Sequence, residues 1–218
     1  MLDTLSSDLF AGFDARHVDA IRRARADEIE CTARAKALQK AHKLHVRRAK
    51  SEATLAKILP PRIASGESWH VLSHGDVDSL SYLTHALRGV EYFDFVMVST
   101  WCMAKADLDQ IEGWIESGKI ESLELYVGEI FPSQYGDEYA RAITLAERYG
   151  FRLVVARNHS KIMLARNSAD DYHLAIESSA NVNTNPRIEQ TALHESRELF
   201  EFYREFFSWL KTIGRRHG

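Results

Sequence analysis

The chain of 218 residues is short of the residues that staple, break or anchor a protein. It has two cysteines, Cys31 and Cys102, far apart in sequence. That excludes a disulfide framework and favours a reducing compartment. No apolar run approaches the roughly 18 residues of a membrane span, and Met1 opens a polar, acidic stretch rather than a leader. These two absences lead to the expectation of a cytoplasmic protein with no membrane partner. Prolines number four, and neither proline nor glycine occurs from Asp14 to Leu59. Nothing in that span interrupts a helix. Charge of one sign is not in large excess either. The formal net charge of −3 argues against a uniformly basic nucleic-acid binder.

What is present suffices to fold. Hydrophobic residues make up 45% of the chain and charged residues 27%, a balance that supports a core and excludes global disorder. Residues 14–59 read as one helical region with a thin apolar face of Ile21, Ala24, Leu38, Ala41 and Leu44, which needs a partner to be buried. Its second half carries Arg34, Lys36, Lys40, Lys43, Arg47, Arg48 and Lys50 and no acid. Two readings stay open: an arm lying on nucleic acid, or a solvated or dimerising helix face. His42 and His45 lie three apart, but no carboxylate or cysteine in the helix completes a ligand set, so no metal is expected. Pro60-Pro61 ends the helix and sets the expected boundary: 1–59 a basic helical arm, 60–218 a domain.

The domain alternates. Strands are expected at Trp69–Ser73, Phe93–Thr100, Leu123–Val127 and Phe151–Ala156. Helices are expected at Val77–Arg88, Asp107–Glu116 and Glu138–Tyr149, closed by Gly89, Gly118 and Gly150. This rhythm predicts an α/β fold with a largely parallel or mixed sheet. It then changes. Ser160–Ala165 and Tyr172–Glu177 read as a hairpin, Glu189–Leu193 as a further strand, and Glu195–Ile213 as a last helix. Leu199, Phe202, Phe206, Trp209 and Leu210 recur on one side of that helix and are expected in the core.

The stretch Asn158–Gln190 holds the chemistry. His159 and Lys161 are two apart, so an extended strand points both the same way, about 6.6 Å apart. Ser178-Ser179-Ala180-Asn181 follows the next apolar run, and Glu189 lies shortly beyond. An imidazole and a cation on one face, with small polar groups beside them, form a plausible phosphate site.

At these residues the sequence resembles the phospholipase D-like (HKD) phosphodiesterase superfamily, in its single-motif bacterial and phage form, over roughly residues 69–212. His159-Ser160-Lys161 matches the family's His-x-Lys. Ser178-Ser179-Ala180-Asn181 matches its Gly-Ser-x-Asn. Two positions depart: Arg166 stands where the motif has Asp, and Ser178 where it has Gly. The resemblance implies a mixed β-sheet flanked by helices, here preceded by the long helical arm. It implies His159 as the nucleophile on phosphorus, giving a phosphohistidine, Glu189 as the acid orienting it, and Lys161 as the group neutralising phosphate oxygens. Ser179 and Asn181 would donate to the same oxygens, and Arg187 would assist. Arg166 would pair with Glu189 or Glu177 or extend the phosphate site. Family sites join two His-x-Lys motifs and this chain has one, so a homodimer is implied. No cofactor or metal is implied. The expected activity is a metal-independent phosphodiesterase, a nuclease acting on DNA ahead of RNA. Phage or mobile-element biology is compatible. The alternative is a catalytically degenerate member that only binds nucleic acid.

Overall fold

The computed structural model describes residues 48–182 and 187–211. Most of the expected arm, including Arg34, Lys36, Lys40, Lys43 and Arg47, lies outside the described residues. Residues 48–58 are helical (α1). Then follow β1 (Ser68–His74), α2 (Leu80–Ala86), β2 (Phe95–Thr100), α3 (Lys105–Glu116), β3 (Leu123–Gly128), α4 (Phe131–Gln134), α5 (Gly136–Tyr149), β4 (Arg152–Ala156), β5 (Ile162–Asn167), β6 (Tyr172–Ser178), β7 (Ile188–Glu195) and α6 (Arg197–Ser208).

The strands form one mixed sheet in the order β1-β7-β6-β5-β2-β3-β4. The helix-linked strands β2, β3 and β4 pair in parallel, while the hairpin-linked β5, β6 and β7 pair antiparallel, as do β1 with β7 and β2 with β5. Connection type decides this: a crossover helix returns the chain to the starting edge, and a short turn reverses it. The β5–β6 turn places Asp171 at φ 50°, a left-handed position that Asp tolerates better than most residues.

Burial on β2 shows how the two faces are filled. All six of its residues are buried, so both faces are covered. Val96 and Val98 point into the larger core with Leu125, Val127, Met163, Leu174, Ile176 and Leu193. Helices α1, α2, α3 and α5 cover that face through Leu55, Leu83, Leu108, Ile111, Ala142 and Leu145. Phe95 and Met97 point the other way, with Tyr126, Val154, Leu164 and Ala175, and among the described residues α6 alone lies over them, through Phe200 and Phe207.

Arg48 and Lys50, at the end of the expected arm, differ. Lys50 is exposed. Arg48 binds inward, donating to Asp107 at 2.8 Å and Asp78 at 3.4 Å. A guanidinium held between two buried carboxylates locks α1 to α2 and α3.

The stripe on α6 is a correction. Phe202, Phe206 and Trp209 are 64%, 51% and 63% exposed, and Leu199 and Leu210 are only partly buried. Phe200 and Phe207, seven apart, are the residues that face the sheet. An apolar stripe wider than the strip a single helix lays on a sheet leaves its flank outside.

Candidate phosphate site at the end of the sheet

The site is assembled where β2, β3, β4 and β6 end and where β5 and β7 begin. The carboxyl edge of a parallel sheet is where such folds place ligands. His159 and Lys161 precede β5 rather than lying on it, because the strand starts at Ile162. The expected side-by-side placement nevertheless holds: Lys161 Nζ stands 2.8 Å from His159 Nδ1 and donates to the His159 carbonyl at 2.6 Å. His159 is exposed and Lys161 half-buried. Burial holds the Lys161 ammonium below the ordinary lysine value of 10.5, with the Glu189 carboxylate pulling the other way.

The loop that presents His159 is tied down by its neighbour. Asn158 is buried. Its Nδ2 donates to Ser99 Oγ at 2.9 Å and the Tyr126 carbonyl at 3.0 Å, and its Oδ1 accepts from Ser160 N at 3.0 Å and Ser160 Oγ at 2.7 Å. One amide thus joins β2, β3 and the loop, and every polar atom of its side chain is bonded. Gly128 lets the backbone close at this point. A Cβ there would stand 2.3 Å from Trp101 Cδ1 and 3.0 Å from the Asn158 carbonyl. The Trp101 ring lies beside His159, centroids 5.2 Å apart.

Trp101 also reaches Asn181. Its backbone N–H donates to Asn181 Oδ1 at 3.3 Å. Backbone pairing brings the Ser-Ser-Ala-Asn segment in: Ser178 N donates to the Lys161 carbonyl at 2.9 Å, and Ser179 N to the Gln190 carbonyl at 2.9 Å. Ser179 Oγ donates to Glu189 and accepts from Gln190 N. The structure therefore gathers His159, Lys161, Ser179, Asn181 and Glu189 at one edge. It shows Glu189 bonded to Ser179 and acting by charge on Lys161. Arg187 is exposed at the entry to β7.

Arg166 is not in the site. It lies on β5, five residues beyond Lys161, roughly 16 Å along an extended chain. Its Nε and Nη2 donate to Asp94 at 2.8 and 2.6 Å, and Asp94 also accepts from Ser168 N and Oγ. The expected pairing with Glu189 or Glu177 is thus replaced by one with Asp94. Hydrogen bonds from Arg166 and Ser168 hold the Asp94 carboxyl below its ordinary value, although its partial burial pushes the other way. The departure from the motif is absorbed by an ion pair at the far end of the strand.

Beside His159 opens a groove of about 880 Å³ between α6 and the sheet end, lined by Asn158, Ser160, Ile162, Tyr203, Phe206 and Leu210 among others. Asn158, Trp101, Gly128 and this groove were not singled out by the sequence. Asn158 carries a weak signal, a polar residue directly after an apolar strand and before the candidate nucleophile. Trp101 carries none.

No family model matches the chain, and no curated protein matches it. Solved structures with a similar fold exist. TrmBL2, described as an archaeal chromatin protein with a novel mode of DNA binding, matches at 10% identity and TM-score 0.47, over 88% of this chain and 66% of its own. Polyphosphate kinase from Porphyromonas gingivalis matches at 16% identity and TM-score 0.47, over 64% of this chain and 25% of its own. Phosphatidylserine synthase from Haemophilus influenzae Rd KW20 matches at 15% identity and TM-score 0.42, over 64% and 37%. The chain spans less than two thirds of the length of each.

Proposed function

We propose that this chain is a metal-independent phosphodiesterase of the phospholipase D-like kind, acting on nucleic acid from a homodimeric site. The observation that carries the reading is the contact of Lys161 Nζ with the exposed His159 ring, beside Ser179 and Asn181. An ammonium donating to the ring marks the imidazole as neutral, and when Lys161 turns to the phosphate oxygens it frees the ring lone pair it had occupied. A phosphodiester entering here meets the cation and the Asn181 amide on its non-bridging oxygens, while Ser179, whose hydroxyl proton goes to Glu189, holds that carboxylate in place. The lone pair of His159 forms the P–N bond as the P–O bond to the leaving group breaks. The His159 of a second copy, protonated, supplies the leaving oxygen with its proton. The same imidazole then takes a proton from water, whose oxygen attacks phosphorus and releases His159. Charge and protons balance over the two steps.

The test is cleavage of labelled single- and double-stranded DNA and RNA in excess EDTA. Wild-type protein is expected to turn over, and His159→Ala to lose at least about a thousandfold in rate. Turnover that survives in His159→Ala would overturn the reading. Bands shifted without turnover, and unaffected by that substitution, would mark a binding protein instead.

A further inference from the structure

The groove beside His159 is an apolar cavity on an exposed catalytic edge, and its composition is specific. Four of its lining residues are aromatic: Phe202, Tyr203, Phe206 and Phe207. Only Ile162 and Leu210 are sizeable aliphatic side chains. Phe202 and Phe206 present most or half of their surface to solvent, and Trp209 continues the ridge, its ring 5.6 Å from that of Phe206. Two exposed cations, Arg157 and Lys211, also line the groove. Among the described residues no acid does. Glu201 and Glu205 of α6 fall away from Tyr203 and Phe206 at 100° per residue. Rings fix the floor, cations fix the rim, and the candidate nucleophile stands at the mouth.

We infer that this groove holds an unstacked base of a single-stranded nucleic acid, next to the phosphodiester at His159. The inference rests on the phosphodiesterase reading and names its substrate more closely. Bases offer a flat π-face to aromatic side chains whatever their identity, and the backbone offers charge to Arg157 and Lys211. A duplex keeps its bases stacked and presents none to the groove. An acyl chain would favour an aliphatic lining over a mostly aromatic one and would leave both cations without a role. Tyr203 is fixed as one wall, its hydroxyl donating to Glu177, while Phe206, edge-on to Phe207 and Trp209, leaves half its surface open to a ring.

The experiment is fluorescence anisotropy of a labelled thymidine 12-mer, single-stranded or annealed to its complement, with His159→Ala protein so that nothing is cleaved. The single strand is expected to bind more tightly than the duplex. Phe206→Leu, which keeps an apolar side chain but loses the π-face, is expected to weaken single-strand binding about tenfold and duplex binding hardly at all. Phe206→Trp is expected to restore it. Phe206 is half exposed, so neither change threatens folding. Equal affinity of Phe206→Leu and parent for the single strand overturns the inference. So does binding to phosphatidylglycerol vesicles that Phe206→Leu abolishes, or a dimer that dissociates on Phe206→Leu, since either puts another occupant in the groove. Cleavage by wild-type protein indifferent to Phe206 would leave the phosphodiesterase reading standing alone. Phe206-dependent single-strand binding without any turnover would do the reverse.

Discussion

The two faces of the sheet are built from the same strands and differ in what covers them. Helices α1 to α5 all contribute to closing one face, and its core runs from Leu55 of α1 through Phe93 to Leu193. Among the described residues one helix, α6, covers the other, and beyond its packed side chains that face is open. There Leu72 and Ile188, on the paired strands β1 and β7, are 77% and 70% exposed. The difference is not one of strand sequence, since β2, β5 and β6 bury both their faces. It arises because a single helix covers a narrow strip of a seven-stranded sheet. The closed face supplies the stability that the open face forgoes; the aromatic groove lies along the open one, and the candidate site sits at the end of the sheet between them.

The comparison breaks most visibly on stability. Phe93 is fully buried on the closed side, its ring stacked 6.5 Å from Tyr172. Phe93→Ala is expected to cost about 3–5 kcal/mol in urea unfolding. Phe202→Ala, the same truncation on the open side, is expected to stay within about 0.5 kcal/mol. Comparable losses would mean that Phe202 is covered in solution, and the two faces would then be alike.

These faces were unequally legible in the sequence. Strand–helix alternation gave the α/β fold, the hairpin and nearly every element, because apolar spacing reports whether a residue is buried by something. It does not report by what. Of Leu199, Phe202, Phe206, Trp209 and Leu210, which have the spacing of a core stripe, Leu199 and Leu210 pack on the sheet beside Phe200 and Phe207, while Phe202, Phe206 and Trp209 stay outside. Nothing local distinguishes the two sets, since only the width of sheet left for the helix decides. In the candidate site, His159, Lys161, Ser179, Asn181 and Glu189 were singled out because a motif spaces them, and strand pairing brings them to one edge. Asn158, Trp101 and Gly128 act through contacts with residues far away in sequence, which spacing cannot reveal.

A second test concerns charge buried on the closed side. Asp107 is almost wholly buried, capping α3 through the Ala104 N–H and bonded to Arg48. Burial, with the nearby Asp78 charge, pushes its carboxyl up to about 7, against the pull of Arg48. Its folded value thus lies above the ordinary 3.8. Between about pH 4 and 7 the folded chain holds a proton that the unfolded chain has lost. Stability contributed at this residue is full below that window and falls as pH rises through it, by a few kcal/mol at most. Asp107→Asn should flatten this stretch of the stability–pH curve. An unchanged slope would show that Arg48 keeps the carboxylate ionised throughout.

The smallest effect expected is at the sheet end where the two faces meet, at Lys161. Partial burial lowers its ammonium below 10.5, so its charge is lost earlier in an alkaline titration than that of a solvated lysine. Anion binding that depends on this charge must weaken as pH rises, starting below 10.5. Single-strand affinity is therefore expected to fall several-fold as the pH is raised towards 10.5, roughly the worth of one charged contact. Lys161→Arg keeps its charge across the whole range and should remove the fall, because a guanidinium does not titrate there. Titration of the bases themselves affects both proteins equally and cancels in their ratio. If the ratio is flat, Lys161 does not touch the phosphate. The open face would then bind nucleic acid through its rings and its rim cations, with the His159–Lys161 contact serving only to shape the loop.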